Sequence, residues 1–358
     1  MRFAVIGAGN GGQAIAGYLA MQGHRVRLYD RNEAKVQLLR ERGGITLQGR
    51  IVGFGKLDCI ATNMREVIEG AEIVMVTTVA NAHSSIARQM APFVEDGQII
   101  VLNPGRTCGA LVFKNALRES NVSARYYIGE AQTLVYACRI VENGVVNIIG
   151  VKDEVLLAGL PAADTGHILE RLKLAYPCFE KAENVLRTSL ENIGAIFHPC
   201  VCLFNAATIE RQDQFWFYRD MTDRVAGFIE KFDKERLAVG RAYGIELLGV
   251  AEWIRFAYQN TEGGTLCELM KNNPAYHDIK APGSIFTRQL TEDIPTGVIP
   301  IIELAKVVGV ATPLMESMVA TIGALLDIDF YADGRSLKSL GLEGKMKEEL
   351  LNYVCFEK

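Results

Sequence analysis

A chain of 358 residues is longer than one hydrophobic core usually serves, so two domains are expected. With 49% hydrophobic and 22% charged residues, a net charge of −4 and a pI near 5.9, it is neither a disordered polyelectrolyte nor a basic nucleic-acid binder. Its long apolar runs stop short of a membrane span, since VIPIIELAKVVGVATPLM is broken by Glu303 and Lys306, and small molecules are left as the expected partners.

The chain opens MRFAVIGAGNGGQAIAGYLAMQGHRVRLYDRN. Residues 2–6 form an apolar run ended by Gly7, the pattern of a buried parallel strand. Gly7, Gly9 and Gly12 fit G-x-G-x-x-G, a helical stretch runs on to Gly23, and a second strand, RVRLYD, ends in Asp30. Three glycines alone are a weak signal. Strand, glycines, helix, strand and terminal acid in that order predict a dinucleotide site. Gly7 permits the tight turn, Gly9 lets the backbone approach a pyrophosphate, and Gly12 lets helix and strand close. Asp30 is placed to accept from ribose hydroxyls, which favours NAD. Arg31 beside it is able to pair with the extra phosphate of NADP.

The α/β alternation continues through EIVMVTTV (72–79), AHSSIARQMAPFV, GQIIVLNPG (97–105), GALVFKNALRES and ARYYIGEA, which predicts a doubly wound, mostly parallel sheet. Ligand contacts in such sheets come from loops at the carboxyl ends of strands. The candidate cofactor contacts are therefore Thr78 and Val79 in one loop, Asn103 in the NPGRT turn, and Asn10 within the glycine turn. His83 is within reach of a cofactor from the first of these loops, but it is expected at a helix start facing solvent. Two β-rich runs joined at Asn143-Gly144 predict a hairpin added antiparallel at the sheet edge. A helix (167–175) and a strand (178–185) complete a first domain over 1–186.

Beyond residue 187 the periods become helical, clearest in SLENIGAIFHPCVCLFNAATIE, DRVAGFIEKFDKERLAVGRAYGI and PLMESMVATIGALLDIDFY, so 187–358 reads as an all-α domain. Within it His198 precedes Pro199, which disturbs the turn before it and places the imidazole at a helix kink or start. Arg288 and Asp293 lie five residues apart in a Pro- and Gly-punctuated segment. Alone they read as a solvated pair. Together with His198 they supply an imidazole, a carboxylate to orient it and a guanidinium for a substrate carboxylate. Eight scattered cysteines without a C-x-x-C pair, and no export signal, point to free thiols in a reducing cytoplasm. Cys200 and Cys202 beside His198 lack a fourth ligand nearby, so no metal site is expected.

NPGRTCGAL (103–111), EAQTLVYACR (130–139), NIGAIFHPCVCLFNA (192–206) and TEDIPTGVIPIIELAKVVGVATP (291–313) resemble the octopine/nopaline dehydrogenases, the opine dehydrogenase family, in order and over essentially the full chain. The resemblance implies an N-terminal Rossmann domain, a C-terminal helical domain with a His–Asp pair, and a homodimer. It also implies NAD(P)H-dependent condensation of an amino acid with a 2-oxo acid, often pyruvate, and the reverse oxidation. By position His198 and Asp293 are the pair and Arg288 the family's arginine, with Arg139, Asn192 and Asn205 as further substrate-pocket candidates. Cys108 departs from the family pattern, which leads us to expect a small residue such as glycine there. Two rivals remain. A ketopantoate reductase-like or glycerol-3-phosphate dehydrogenase-like enzyme would use a lysine, yet no lysine occurs between Lys181 and Lys231. A protein that binds NAD without turnover would not need the His/Arg/Asp set.

Overall fold

The computed structural model describes residues 1–258 and 261–356. They divide into two compact units, one of Met1–Ser189 with the segment from Asn352, the other of Leu190–Leu351.

The first unit alternates strands and helices: β1 (Arg2–Ile6), α1 (Asn10–Met21), β2 (Arg25–Tyr29), α2 (Glu33–Arg42), β3 (Gly44–Gly49), β4 (Gly53–Lys56), β5 (Cys59–Ala61), α3 (Met64–Ile68), β6 (Ile73–Val76), α4 (His83–Met90), β7 (Ile99–Leu102), α5 (Gly109–Glu119) and β8 (Tyr127–Ala131). It then runs through β9 (Tyr136–Glu142), β10 (Val145–Val151), β11 (Val155–Gly159), α6 (Thr165–Leu172), β12 (Phe179–Lys181) and α7 (Val185–Leu190). Eight strands form one sheet in the order β12-β11-β8-β7-β6-β1-β2-β5, parallel except that β11 runs against β8. β6 and β7 are buried at every position, which is why they read as unbroken apolar runs rather than as alternation.

The strand order reverses between β1 and β6, so the crevice for a ligand opens where the loops after these two strands part.

Two expectations fail. The Asn143-Gly144 hairpin forms, with Gly144 at φ +86°, but β9 and β10 do not extend the main sheet. They join β3 and β4 in a separate four-stranded sheet, β4-β3-β10-β9. The reason lies in α1, whose polar side chains hold the hairpin. Asn10 Oδ1 accepts Ile140 N–H at 2.8 Å, and Gln13 Oε1 accepts Gly144 N–H at 2.9 Å. Gly17 completes the docking, since a Cβ there would stand 3.0 Å from Ile45. His83 also departs from expectation. It is fully buried on the inner face of α4 with Ile86, Ala87 and Met90, its ring edge-on to Phe113.

The second unit is helical. Its elements are α8 (Gly194–Phe204), α9 (Ala206–Glu210), α10 (Asp223–Ala242), α11 (Val250–Ala257), α12 (Leu266–Asn272), α13 (Arg288–Thr291), a π-helical turn (Ile294–Val298), α14 (Ile299–Val307), α15 (Pro313–Leu326) and α16 (Phe330–Asp333). The chain ends in α17 (Lys347–Phe356). Thr222 caps α10, and its hydroxyl accepts Val225 N–H. Inside the unit Arg236, fully buried, donates to Asp233 at 2.7 Å, to the Leu190 carbonyl at 2.8 Å and to the Leu248 carbonyl at 2.7 Å. Asp233 in turn accepts Val250 N–H at 2.9 Å. A buried charge is tolerated when each of its polar atoms is matched in this way, and removing one partner is the costly change.

Candidate active site

In the first unit β1 ends in Gly7, whose φ of +104° is a conformation that favours glycine. Gly9 is the N-cap of α1 and no side chain caps this helix, so the helix start keeps its anion-binding character. A Cβ on Gly9 would meet nothing within 4 Å, which leaves the backbone open to a ligand. A Cβ on Gly12 would collide with the Gly7 carbonyl and lie 2.6 Å from Thr77 Oγ1, so glycine is required for α1 to close on β1. Across the switch point Thr77 donates to the carbonyls of Ile6 and Gly7 at 3.0 and 2.9 Å. The neighbouring Thr78 hydroxyl is buried without a partner among the described residues. Val79 beside it is 46% exposed. An open helix start, a glycine cradle and an orphaned buried hydroxyl fit a dinucleotide pyrophosphate.

Asp30 braces this turn from β2. Its Oδ2 accepts Ala8 N–H at 2.8 Å and pairs with Lys35 at 3.0 Å, and its Oδ1 accepts Asn32 N–H at 3.0 Å. Arg31 is exposed, so two cations flank the carboxylate. Asn103 is buried and donates to Val101 O at 2.9 Å, which ties the NPGRT turn to its own strand. Sequence reasoning missed Glu130, fully buried on β8. It accepts Ala110 N–H at 2.8 Å and the hydroxyls of Thr188 and Ser189 at 2.7 Å each. Ser189 accepts Cys108 N–H at 2.8 Å. Cys108 itself has φ +62°, a conformation that favours the glycine expected there. A cleft of about 320 Å³ lined by Arg2, Glu72, His167 and Arg171 lies at the amino ends of the strands, the end opposite the glycine turn.

In the second unit His198 lies within α8, with Pro199 also inside the helix rather than at its start. Asp293 immediately precedes the π-helical turn, a deformation that redirects the chain locally. Gly297 permits the approach, because a Cβ there would be 2.5 Å from that of Ala195 on α8. The result is a contact of 2.5 Å between His198 Nδ1 and Asp293 Oδ2, with the His side chain 21% exposed and the Asp side chain 3%. An ionised carboxylate only accepts, so Nδ1 carries the proton and Nε2 is the ring nitrogen left as an acceptor. Nε2 lies 2.8 Å from the Tyr218 hydroxyl. Tyr218 was absent from the sequence reading. Its one signal is the aromatic run FWFY (215–218), which names no partner.

Arg288 opens α13 and is 63% exposed, its Nε bonded to Glu292 at 2.6 Å. Helical spacing thus pairs it with Glu292, four residues on, while Asp293 faces the histidine. The terminal nitrogens of Arg288 have no protein partner among the described residues, so its fork remains available to a carboxylate. Asn192 is buried against Gly297, and Asn205 ends α8 by donating to Val201 O at 2.9 Å. Both read as local supports. Arg139 is exposed on β9 of the first unit. All eight cysteines are free, and burial pushes the Cys200 and Cys202 thiols far above their ordinary range. Among the described residues no His/Cys/Asp/Glu group could hold a metal, and no helix is long and apolar enough to cross a membrane.

Residues 181–326 match the model of the NAD/NADP octopine/nopaline dehydrogenase α-helical domain, and residues 2–105 match the N-terminus of NAD-dependent glycerol-3-phosphate dehydrogenase. The chain is 37% identical over 344 residues to an opine dehydrogenase of Arthrobacter sp. (strain 1C), which covers 96% of this chain and 95% of the relative. The chain belongs to the opine dehydrogenase family. Like other opine dehydrogenases it is an NAD(P)-dependent oxidoreductase acting on CH–NH. Its fold superposes on octopine dehydrogenase solved with NADH and L-arginine, with a TM-score of 0.83 at 22% identity over 98% of both chains. A ketopantoate reductase from Ralstonia eutropha JMP134 shares the fold less closely, with a TM-score of 0.63 at 19% identity over 91% of this chain and 99% of that one.

Proposed function

We propose that this opine dehydrogenase condenses an L-amino acid with a 2-oxo acid, pyruvate being the first candidate, and reduces the imine to an N-(carboxyalkyl)amino acid. The single observation that carries this reading is the His198–Asp293 contact of 2.5 Å in a chain of this family. NAD, or NADP, would be held by Gly7, Gly9 and Gly12 at the start of α1 with Asn10, Thr78, Val79 and Asn103 around them, and it supplies the hydride. Asp30 would meet the ribose. Lys35 and Arg31 beside it leave room for the phosphorylated form, which is why both coenzymes belong in the assay.

His198 is the acid/base. Asp293 fixes its tautomer and stabilises the imidazolium form, and Arg288 clamps a substrate carboxylate to align the reactants. The exposed guanidinium of Arg288 suits the carboxylate of a 2-oxo acid. A ketopantoate reductase-like reaction lacks its lysine in the first helices of the second unit, and it remains only as an outcome of the test. Purified protein with NADH or NADPH, pyruvate and a panel of single amino acids should consume coenzyme only when amino acid and oxo acid are both present. Consumption with the oxo acid alone would replace this reading by a simple 2-oxo acid reductase.

A further inference from the structure

Within the second unit the exchanging nitrogen of His198 already has a partner. A ring nitrogen offers one in-plane position, to donate from or to accept at. Nδ1 spends its position on Asp293 and Nε2 spends its own on the Tyr218 hydroxyl, at 2.5 and 2.8 Å. A substrate atom can reach Nε2 directly only if the tyrosine leaves.

The tyrosine is poorly placed to leave. Its side chain stacks on Tyr276 with centroids 4.5 Å apart and planes 26° from parallel. Phe217 stands edge-on at 4.8 Å and Phe197 at 6.2 Å. Tyr276 is itself held through a bond of 3.2 Å from the Tyr258 hydroxyl, and Tyr218 is only 8% exposed. Swinging the ring out would break several aromatic contacts in every turnover.

We propose that the Tyr218 phenol relays protons between His198 Nε2 and the reacting amino acid and oxo acid. This rests on the reductive condensation proposed above. An amino acid must lose an ammonium proton before its nitrogen attacks the oxo-acid carbon. In the relay the phenol gives its own proton to neutral Nε2 and takes the ammonium proton onto its oxygen. Attack then forms the C–N bond, and proton transfer from nitrogen to oxygen leaves a carbinolamine. The relay next runs backwards. The phenol protonates the carbinolamine hydroxyl while Nε2–H restores the phenol proton, the C–O bond breaks with its electron pair on oxygen, water departs, and the nitrogen lone pair forms the iminium. His198 is neutral again. The one proton it stored has been returned, so charge and atoms balance before any hydride moves.

Two protons in flight at once leave a mark that a structural tyrosine would not. With enzyme preloaded with NADH, a single turnover should be followed in H2O/D2O mixtures by coenzyme absorbance. Wild-type protein is expected to give a rate that curves downward with deuterium fraction. Tyr218→Phe, which keeps the ring and its stack, is expected to lose roughly 100-fold in that rate and to give a linear dependence, with NADH affinity unchanged. A linear wild-type dependence overturns the relay, whether or not the variant folds. A Tyr218→Phe rate equal to or above wild type also overturns it, and a rise would show that the tyrosine merely blocks Nε2. Failure of the underlying reaction is recognised separately, because no coenzyme is then consumed with both substrates present.

Discussion

Asp293→Asn keeps the side-chain volume and removes the charge behind His198. The carboxylate oxygen lies 2.5 Å from Nδ1 and the Asp side chain is 3% exposed, so solvent screens the pair weakly. Charge centres about 4 Å apart at an effective dielectric of about 20 attract by roughly 4 kcal/mol, which is what the carboxylate contributes when His198 becomes cationic. A carboxamide oxygen that still accepts the Nδ1 proton recovers part of this. A deficit of about 3 kcal/mol then remains in the proton-transfer step, or roughly a 100-fold slower reaction. The assay is single-turnover NADH oxidation with both substrates saturating, alongside the NADH dissociation constant and the thermal midpoint. Rate should fall about 100-fold while affinity stays within about twofold, because the dinucleotide turn belongs to the first unit. A folded Asp293→Asn protein turning over within about threefold of wild type would refute the assigned role of the pair.

The glycine turn separates fold from ligand. Gly12→Ala should lower the melting temperature and weaken NADH together, since its Cβ strikes the Gly7 carbonyl, whereas Gly9→Ala should leave melting unchanged and still cost about tenfold or more in calorimetric affinity. An unchanged affinity for folded Gly9→Ala would mean that the pyrophosphate does not approach there. Arg288→Lys removes the planar fork but keeps the charge, so KM for the oxo acid should rise by about 10- to 100-fold with a smaller change in kcat; steady-state kinetics showing an unaltered KM would remove Arg288 from the carboxylate site. Burial pushes the Cys138 thiol up to about 11. In the unfolded chain that thiol ionises from about pH 8.5, so the folded state binds the extra proton and stability is lost as pH rises from there towards 11, at most about 1.4 kcal/mol per pH unit. The stability difference between wild type and Cys138→Ala in urea should therefore shrink between pH 8 and pH 10, and a constant difference would contradict the burial argument.

Much of the first unit was legible because its signals are local. The apolar runs of β1, β6 and β7 are continuous since both faces of each strand are covered, and the glycine turn is a backbone requirement written in residue type. The second sheet was not legible. Residues 44–56 are short and glycine-rich, and what extends the β3–β4 pair into a four-stranded sheet is β10, roughly a hundred residues later, in a hairpin docked through Asn10 and Gln13 of α1. His83 misled for a related reason, because a helix-start histidine looks solvent-facing until the helix is seen with its inner face against Phe113.

The candidate site divides the same way. Sequence alone nominated the candidate residues, namely the glycine triplet, Asp30, His198, Arg288 and Asp293, and through resemblance the family to which the chain belongs. Residue type and spacing are enough for that, since a dinucleotide turn and an imidazole–carboxylate–guanidinium set each demand particular atoms. Only the tertiary structure decided the partners. It gave Asp293 to His198 and Glu292 to Arg288, turned Asp30 into a brace for the glycine turn, buried Glu130 behind the NPGRT turn, and set Tyr218 on the second ring nitrogen of His198. Those pairings cross up to 95 residues of chain and depend on a π-helical turn and on Gly297 letting two segments meet, and a distance in space of that kind has no counterpart in a local pattern.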